Sequence, residues 1–153
     1  MYNVKPVTTA HATACGPTSL KMLMSYYGVD VPLKDVIAEC GEKITGNTMA
    51  DLARVGRSHG LDMISYKMDA ESLLKNDRPA IIWWRRVHFV VFCGLNDKGE
   101  PVICNPSNGR FPMNRDAFCS AFSGIALCNG RPQDIINTDD YFGEKAEDAD
   151  YFN

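Results

Sequence analysis

The sequence has 153 residues, 45% of them hydrophobic and 23% charged, with a formal net charge of −3. This length suits one domain with a single core and is short for two. Residues 139–150 carry about −5, from six acidic residues and one lysine, so the rest of the chain is near +2 (−3 minus −5). Because no run of lysine and arginine accompanies that small charge, we expect no nucleic-acid partner.

The sequence also argues against membrane insertion, export and a metal site. No apolar run approaches the roughly 20 residues of a membrane span, and the N-terminus lacks the basic and apolar regions of a signal peptide. We therefore expect a cytoplasmic protein. Six cysteines are present, with no C-x-x-C spacing and no metal-ligand pattern that includes a histidine. We predict reduced, mostly buried thiols rather than three disulfides, with no metal and no cofactor.

The first third of the chain is predicted to be helical. Residues 15–27 place a proline just inside the helix start and apolar side chains at helical spacing, before a glycine. Residues 32–41 repeat this pattern from proline to glycine. Residues 48–60 begin with Thr48 and Asp51, which have the spacing of a capping box. Three helices are therefore expected before any strand.

The remainder of the chain is predicted to be mostly strands. Its predicted elements are a strand at 61–68, a short helix at 69–76, strands at 79–84, 87–95 and 101–105, a helix at 114–122 and a strand at 125–128. Tight connections at Arg85-Arg86 and at residues 96–99 make neighbouring strands antiparallel. This order predicts an α+β fold with N-terminal helices packed on a C-terminal antiparallel sheet. We place the domain at residues 1–130 and interpret residues 131–153 as an acidic tail.

Cys15 is the first candidate for chemistry because it lies at the predicted start of a helix. The positive end of the helix dipole and the unpaired backbone N–H groups there favour a thiolate, and they also favour an oxyanion formed nearby. The following Gly16 would let the backbone pass close to a substrate. The alternative is that Cys15 packs as a small apolar side chain, as the other five cysteines are expected to do.

A nucleophilic cysteine needs a base, and His88 is the best placed of the three histidines. It begins the most apolar strand, where a position at the rim would direct its imidazole into a cleft. His59 is explained by a helix end, and His11 lies in the loop before Cys15. Asn105 ends the next strand, and the hairpin folds it back beside His88, where its amide could orient the ring. Each residue alone also has an ordinary explanation. His88 could be a histidine that is hydrogen-bonded to the backbone, and Asn105 could be the Asn of an Asn-Pro pair that ends a strand.

Three stretches of the sequence resemble, in order and spacing, the bacteriocin-processing cysteine peptidases, family thirty-nine of the papain-like clan, and their stand-alone relatives. They are "ACGPTSLKMLMSYYG", "RPAIIWWRRVHFVVFCGLNDKGEPVICNPSNG" and "NRDAFCSAFSGIAL", and the resemblance covers residues 5–130. It implies a papain-like fold with Cys15 as nucleophile, His88 as general base and acid, and Asn105 as the residue that orients the imidazole. It also implies a peptide substrate, since family members cut after a double glycine in leader peptides, usually as a domain fused to an ABC exporter.

The sequence departs from the family's pattern at three positions near the expected site, one of which is Ala14, where family members usually carry an acidic residue just before the cysteine. Family members usually carry Asp-Pro where this chain has Asn105-Pro106, a change that keeps a hydrogen bond and removes a charge. They also carry a glutamine six residues before the cysteine, which donates to the oxyanion, and this chain has Thr9 there. Loss of one oxyanion donor costs on the order of 10² to 10³ in rate, unless Thr9 or His11 takes its place.

The sequence thus predicts a thiol peptidase or amidase with a Cys-His-Asn triad acting on a peptide or protein. The candidate oxyanion or substrate-binding residues are Thr9, His11 and Gly16. Two other functions of the same cleft stay open. One is a degenerate member that binds a peptide or leader without cutting it, and the other is an acyltransferase that passes the acyl group to an amine instead of water. A structural or interaction protein in which Cys15 is merely packed is a further alternative.

Overall fold

The structure is a computed structural model that describes residues 1–130, so the expected tail at residues 131–153 lies outside the described part of the chain. A 3₁₀ turn at Ala12–Ala14 comes first. The elements that follow are α1 (Cys15–Tyr26), α2 (Leu33–Cys40), α3 (Met49–Ser58), β1 (Met63–Lys67), α4 (Ala70–Leu74), β2 (Ala80–Trp84), β3 (His88–Leu95), β4 (Pro101–Asn105), β5 (Gly109–Pro112), α5 (Arg115–Ala121) and β6 (Phe122–Asn129). Three helices precede the first strand, as the sequence predicts.

Local signals in the sequence account for the helix ends. The Thr48 hydroxyl accepts a hydrogen bond from the Asp51 N–H, and the Asp51 carboxylate accepts one from the Thr48 N–H, so the predicted capping box begins α3. Asp69 caps α4 by accepting a hydrogen bond from the Ser72 N–H. Gly41 follows α2 with a φ of 83°, a conformation that glycine adopts without strain.

The six strands form one antiparallel sheet in the order β1-β6-β2-β3-β4-β5. The hairpin of β2 and β3 pairs Trp84 with His88, and the hairpin of β3 and β4 pairs Val91 with Cys104. The start of β3 and the end of β4 therefore lie next to each other, at the same end of the two strands. This register brings Asn105, the last residue of β4, beside His88.

Two features of the sheet differ from the sequence prediction. The strand β5 was not expected, because it is a four-residue edge strand whose side chains are all at least partly exposed, and it therefore carries no apolar pattern. The last strand begins at Phe122 rather than residue 125, since α5 passes directly into β6. Neither difference changes the predicted fold class.

Helices cover both faces of the sheet. The face toward α1 and α3 includes Phe89 and Val91, and the opposite face, toward α4 and α5, includes Val90 and Phe92. Strands buried on both faces have nearly continuous apolar sequences, as β2 and β3 do. The buried Ser19 hydroxyl of α1 donates to the Phe89 carbonyl at 3.3 Å, which holds the N-terminal half of α1 beside the start of β3.

Residues 1–130 contain all six cysteines, and none of them is in a disulfide; five are buried and Cys119 is half-buried. The same residues contain no cluster of three or more His, Cys, Asp and Glu side chains that could hold a metal ion. No helix in this part of the chain is both long and apolar enough to cross a membrane.

Candidate active site

Cys15 is the first residue of α1, and its side chain is 8% exposed. Hydrogen bonding with the His88 side chain and with the backbone of Phe89 and Gly16 acts on the pKa of its thiol. Burial raises the pKa of the thiol, but these hydrogen bonds and the charge of His88 together outweigh burial, so the pKa of Cys15 lies below its ordinary value. The site therefore favours the nucleophilic thiolate.

His88 is the first residue of β3 and is half-buried between Cys15 and Asn105. Its Nε2 atom lies 2.9 Å from Asn105 Oδ1. Burial lowers the pKa of His88, but the hydrogen bonds with Cys15 and Asn105 and the charge of Cys15 raise it further, so the net shift is upward. The shifts of Cys15 and His88 are opposite in direction because each charged form stabilises the other.

Asn105 fixes which ring nitrogen of His88 faces Cys15. Its Oδ1 atom accepts a hydrogen bond from the Ser107 backbone N–H at 2.9 Å as well as from His88 Nε2 at 2.9 Å. A backbone N–H can only donate, so the amide presents its oxygen to both partners. Nε2 of His88 therefore carries a proton in this contact, and Nδ1 is the nitrogen left to face Cys15.

The loop before α1 carries Thr9 and His11 and lies against the end of β4. The Thr9 N–H donates to the Pro106 carbonyl at 2.8 Å. The Thr9 hydroxyl accepts from the His11 N–H at 3.2 Å, which leaves its own proton to be donated elsewhere. Within residues 1–130, no hydrogen bond joins either side chain to Cys15, so an oxyanion role for Thr9 or His11 stays a prediction.

Packing against distant parts of the chain explains why position 16 is a glycine, and the sequence did not reveal this reason. A Cβ atom at this position would lie 3.2 Å from Phe89 Cδ2 and 3.3 Å from Leu52 Cδ2, tighter than ordinary contacts. The glycine therefore lets α1 approach the sheet and α3 closely, and its backbone contacts the Cys15 sulfur. Its contact with a substrate remains a prediction.

Two open cavities lie beside the pair of Cys15 and His88. The helical-side cavity, of about 580 Å³, is lined by His11 and by Ala14, the residue before Cys15. The sheet-side cavity, of about 460 Å³, is lined by His88, Asn105 and residues of β5. The two cavities, one next to Cys15 in sequence and one lined by His88, leave space for a ligand near the pair.

The sequence did not identify the backbone groups that complete this arrangement. They are the Phe89 backbone group at the Cys15 sulfur and the Ser107 N–H at the Asn105 amide. Main-chain donors exist in every residue except proline, so residue type carries no signal for them. Only the path of the chain shows which of them reach the site.

Similar solved structures indicate the class of protein. A crystal structure of a double glycine motif protease from an AMS/PCAT transporter, in complex with the leader peptide, has a TM-score of 0.78 and 32% identity, covering 82% of this chain and 90% of that chain. The peptidase domain of Streptococcus ComA, a bi-functional ABC transporter involved in a quorum sensing pathway, has a TM-score of 0.74 and 20% identity, covering 82% and 97%. The fold is that of papain-like cysteine peptidase domains.

Sequence comparison then gives the family. The profile of the Peptidase C39 family matches residues 3–133. The chain therefore belongs to the peptidase C39 family of cysteine peptidases, which confirms the family that the sequence resembles.

Individual relatives are more distant in sequence. An uncharacterized protein of Methanothermobacter thermautotrophicus is 26% identical over 128 residues, which are 84% of this chain and 89% of that protein. The lacticin-481/lactococcin-DR transport/processing ATP-binding protein of Lactococcus lactis is 28% identical over 113 residues, which are 69% of this chain and only 16% of that protein.

Proposed function

We propose that this protein is a cysteine peptidase or amidase in which Cys15 is the nucleophile, His88 the general base and acid, and Asn105 the orienting residue. The observation that carries the proposal is the placement of His88 between Cys15 and Asn105, with its Nε2 atom 2.9 Å from Asn105 Oδ1 and with Cys15 acting on its pKa. The lowered pKa of Cys15 and the raised pKa of His88 support it, because they favour a thiolate beside an imidazolium. Membership of a cysteine peptidase family supports it independently.

In the proposed reaction the Cys15 thiolate attacks the carbonyl carbon of a peptide bond, and the electron pair of the carbonyl moves to its oxygen. The oxyanion collapses, the C–N bond breaks, and His88 gives its proton to the leaving amine, which leaves a thioester on Cys15. Water then attacks the thioester while His88 takes up a proton, and the acid product leaves as the thiolate is restored. Asn105 keeps Nδ1 of the ring directed at the sulfur through both steps.

The developing oxyanion has candidate donors at the start of α1. The backbone N–H groups of the first turn and the positive end of the helix dipole lie there, beside Cys15, and no side chain caps this helix end. The Thr9 hydroxyl stands where family members carry glutamine, and it retains a proton to donate. We propose that Thr9 contributes a weaker donor than a glutamine amide, so that turnover is slow rather than absent.

We propose a peptide substrate, with two glycines before the cleaved bond, and assign the peptidase domain to residues 1–130. The neighbour with 32% identity is described as a double glycine motif protease in complex with a leader peptide. Glycine residues next to the scissile bond would also suit a site in which Cys15 is 8% exposed, since a side chain there would meet the walls of the cleft.

Mass spectrometry of a peptide library with Gly-Gly before a variable residue tests the proposal. We expect the wild type to cut after the second glycine and Cys15→Ala to be inactive. Cys119→Ala is the matched control, because Cys119 is half-buried on α5, away from the site. Cleavage by Cys15→Ala, or the absence of cleavage by the wild type, would contradict the enzyme assignment.

One observation favours a second candidate, a domain that binds a peptide without cutting it. Thr9 replaces the glutamine expected to stabilise the oxyanion, while one open cavity is lined by Ala14, next to Cys15, and another by His88. Binding of labelled Gly-Gly peptides to the wild type, with neither product nor a thioester detected, would support this candidate. Product joined to an added primary amine would instead indicate acyl transfer.

A further inference from the structure

The turn between β2 and β3 holds two consecutive arginines in the left-handed backbone region. Arg85 has a φ of 53° and Arg86 a φ of 61°, and the Val87 N–H closes the turn onto the Trp84 carbonyl at 3.1 Å. The hairpin loop has three residues, Arg85 to Val87, and its first two positions favour Asn and Gly because most other side chains are strained at positive φ. Hairpin stability therefore does not account for the two arginines.

Hydrogen bonds from outside the hairpin hold this turn in place. The Arg85 N–H donates to the Ala121 carbonyl at 2.7 Å, and the Arg86 N–H donates to the Ser123 hydroxyl at 2.8 Å. Both acceptors belong to the junction of α5 and β6. The backbone from which the two guanidinium groups project is thus fixed three residues or fewer from His88.

Each arginine lines a cavity whose described lining residues include no carboxylate. Arg85 shares the sheet-side cavity with His88 and Asn105. Arg86 lines a separate cavity of about 440 Å³ that Lys67 also lines. Both arginines are exposed, and within residues 1–130 neither guanidinium is in an ion pair. The helical-side cavity differs, since Glu42 and Lys43 both line it.

We propose that the Arg85-Arg86 turn is a carboxylate-binding element that selects peptide substrates with an Asp or Glu side chain on the sheet side of the cleft. This inference rests on the proposed peptidase function and adds a substrate class to it. Arg85 is the principal contact, because it shares a cavity with the base His88. A guanidinium matches a carboxylate with two parallel hydrogen bonds, and the anchored turn reduces the ordering that binding requires.

The test uses peptides with Gly-Gly before the cleaved bond and one Glu placed at each preceding position in turn, each paired with the same peptide carrying Gln. We expect the wild type to prefer Glu over Gln at one placement by about two- to fivefold in kcat/KM, a size suited to an exposed ion pair. In Arg85→Gln/Arg86→Gln the ratio should fall to about one. The control Lys98→Gln removes the same type of charge from the distant turn at residues 96–99 and should keep the preference.

Three outcomes would overturn the inference. One is that the wild type shows no Glu preference in the assay, and another is that the double variant keeps the preference. The third outcome is a double variant that cuts Glu and Gln peptides alike faster than the wild type does, which would mean that the arginines bind acidic residues of the chain itself.

Anisotropy of the same labelled peptides on Cys15→Ala separates this inference from the proposed function. An arginine-dependent Glu preference in binding supports the carboxylate site even where the wild type cuts nothing. Cleavage by the wild type without any Glu preference refutes the carboxylate site and leaves the peptidase intact.

Discussion

Asn105 Oδ1 lies 2.9 Å from His88 Nε2, and the same oxygen accepts the Ser107 N–H. The amide thus holds the imidazole by hydrogen bonding alone, where a carboxylate would add a negative charge. Because a neutral amide stabilises imidazolium less than a carboxylate does, the charge of Cys15 is left as the main electrostatic partner of the protonated ring.

Asn105→Asp should therefore raise the pKa of His88 beyond its value in the wild type. The carboxylate can accept the same two hydrogen bonds, and its charge favours imidazolium. We expect the alkaline limb of the kcat/KM against pH profile to move to higher pH. Asn105→Ala, which removes both hydrogen bonds, should lower kcat by up to about 10², within the range that general acid–base catalysis supplies. An unchanged alkaline limb in Asn105→Asp would contradict this account.

Cys15 should be the first cysteine to be alkylated at about pH 6, where ordinary thiols are protonated. Its pKa is lowered, whereas burial raises the pKa of Cys40 to about 12 and that of Cys128 to about 12. Peptide mapping after brief iodoacetamide treatment measures the order of labelling. The fast phase should disappear in Cys15→Ala, and equal labelling rates at all cysteines would identify Cys15 as a packed residue.

The pKa of His88 should fall in Cys15→Ala. The hydrogen bond and charge of Cys15 raise this pKa in the wild type, and without them burial, which lowers it, is opposed by Asn105 alone. A group with a raised native pKa contributes stability below its unfolded pKa, about 6.5 for histidine, and loses that contribution as pH rises through the native pKa. This contribution should disappear in Cys15→Ala. Imidazole NMR titration measures the shift, and an unchanged pKa would show that the two residues are not coupled.

Thr9→Gln should increase kcat/KM by up to about tenfold, less than the 10² to 10³ that a complete oxyanion donor supplies, if the Thr9 hydroxyl provides part of it as we propose. Thr9→Val, which removes the hydroxyl, should lower kcat/KM. Thr8→Gln is the matched control, since Thr8 is the exposed neighbour. No change or a loss in Thr9→Gln would mean that His11 or the backbone already fills the oxyanion site.

Replacing the Arg85-Arg86 turn by Asn-Gly should stabilise the protein. Relief of strain at two left-handed positions should raise the free energy of unfolding by about 1 to 2 kcal/mol, measured by urea unfolding. The same variant should lose the preference for acidic peptides, so stability and specificity would change in opposite directions. Lys98→Asn serves as control, because among non-glycine residues of 1–130 only Arg85 and Arg86 have positive φ. A loss of stability in the Asn-Gly variant would show that the arginine side chains support the fold.

Much of this fold is predictable because its signals are local. The capping box at Thr48 and the hairpin turn at residues 96–99 each depend on a few neighbouring residues, and both form as the sequence indicates. The edge strand β5 was missed because its stability comes from hydrogen bonds to β4 rather than from an apolar pattern of its own.

The sequence by itself determined that Cys15 begins a helix, and that one hairpin joins the strands of His88 and Asn105, because helix starts and turns are set by nearby residues. Only the tertiary structure decided that Cys15 meets His88, which lies 73 residues further along the chain (88 minus 15). The apolar burial that brings α1 onto the sheet is non-directional, so the sequence pattern indicates that these elements pack without giving their alignment. That alignment depends on close contacts such as those of Gly16 with Phe89, and it also places the backbone donors that complete the site.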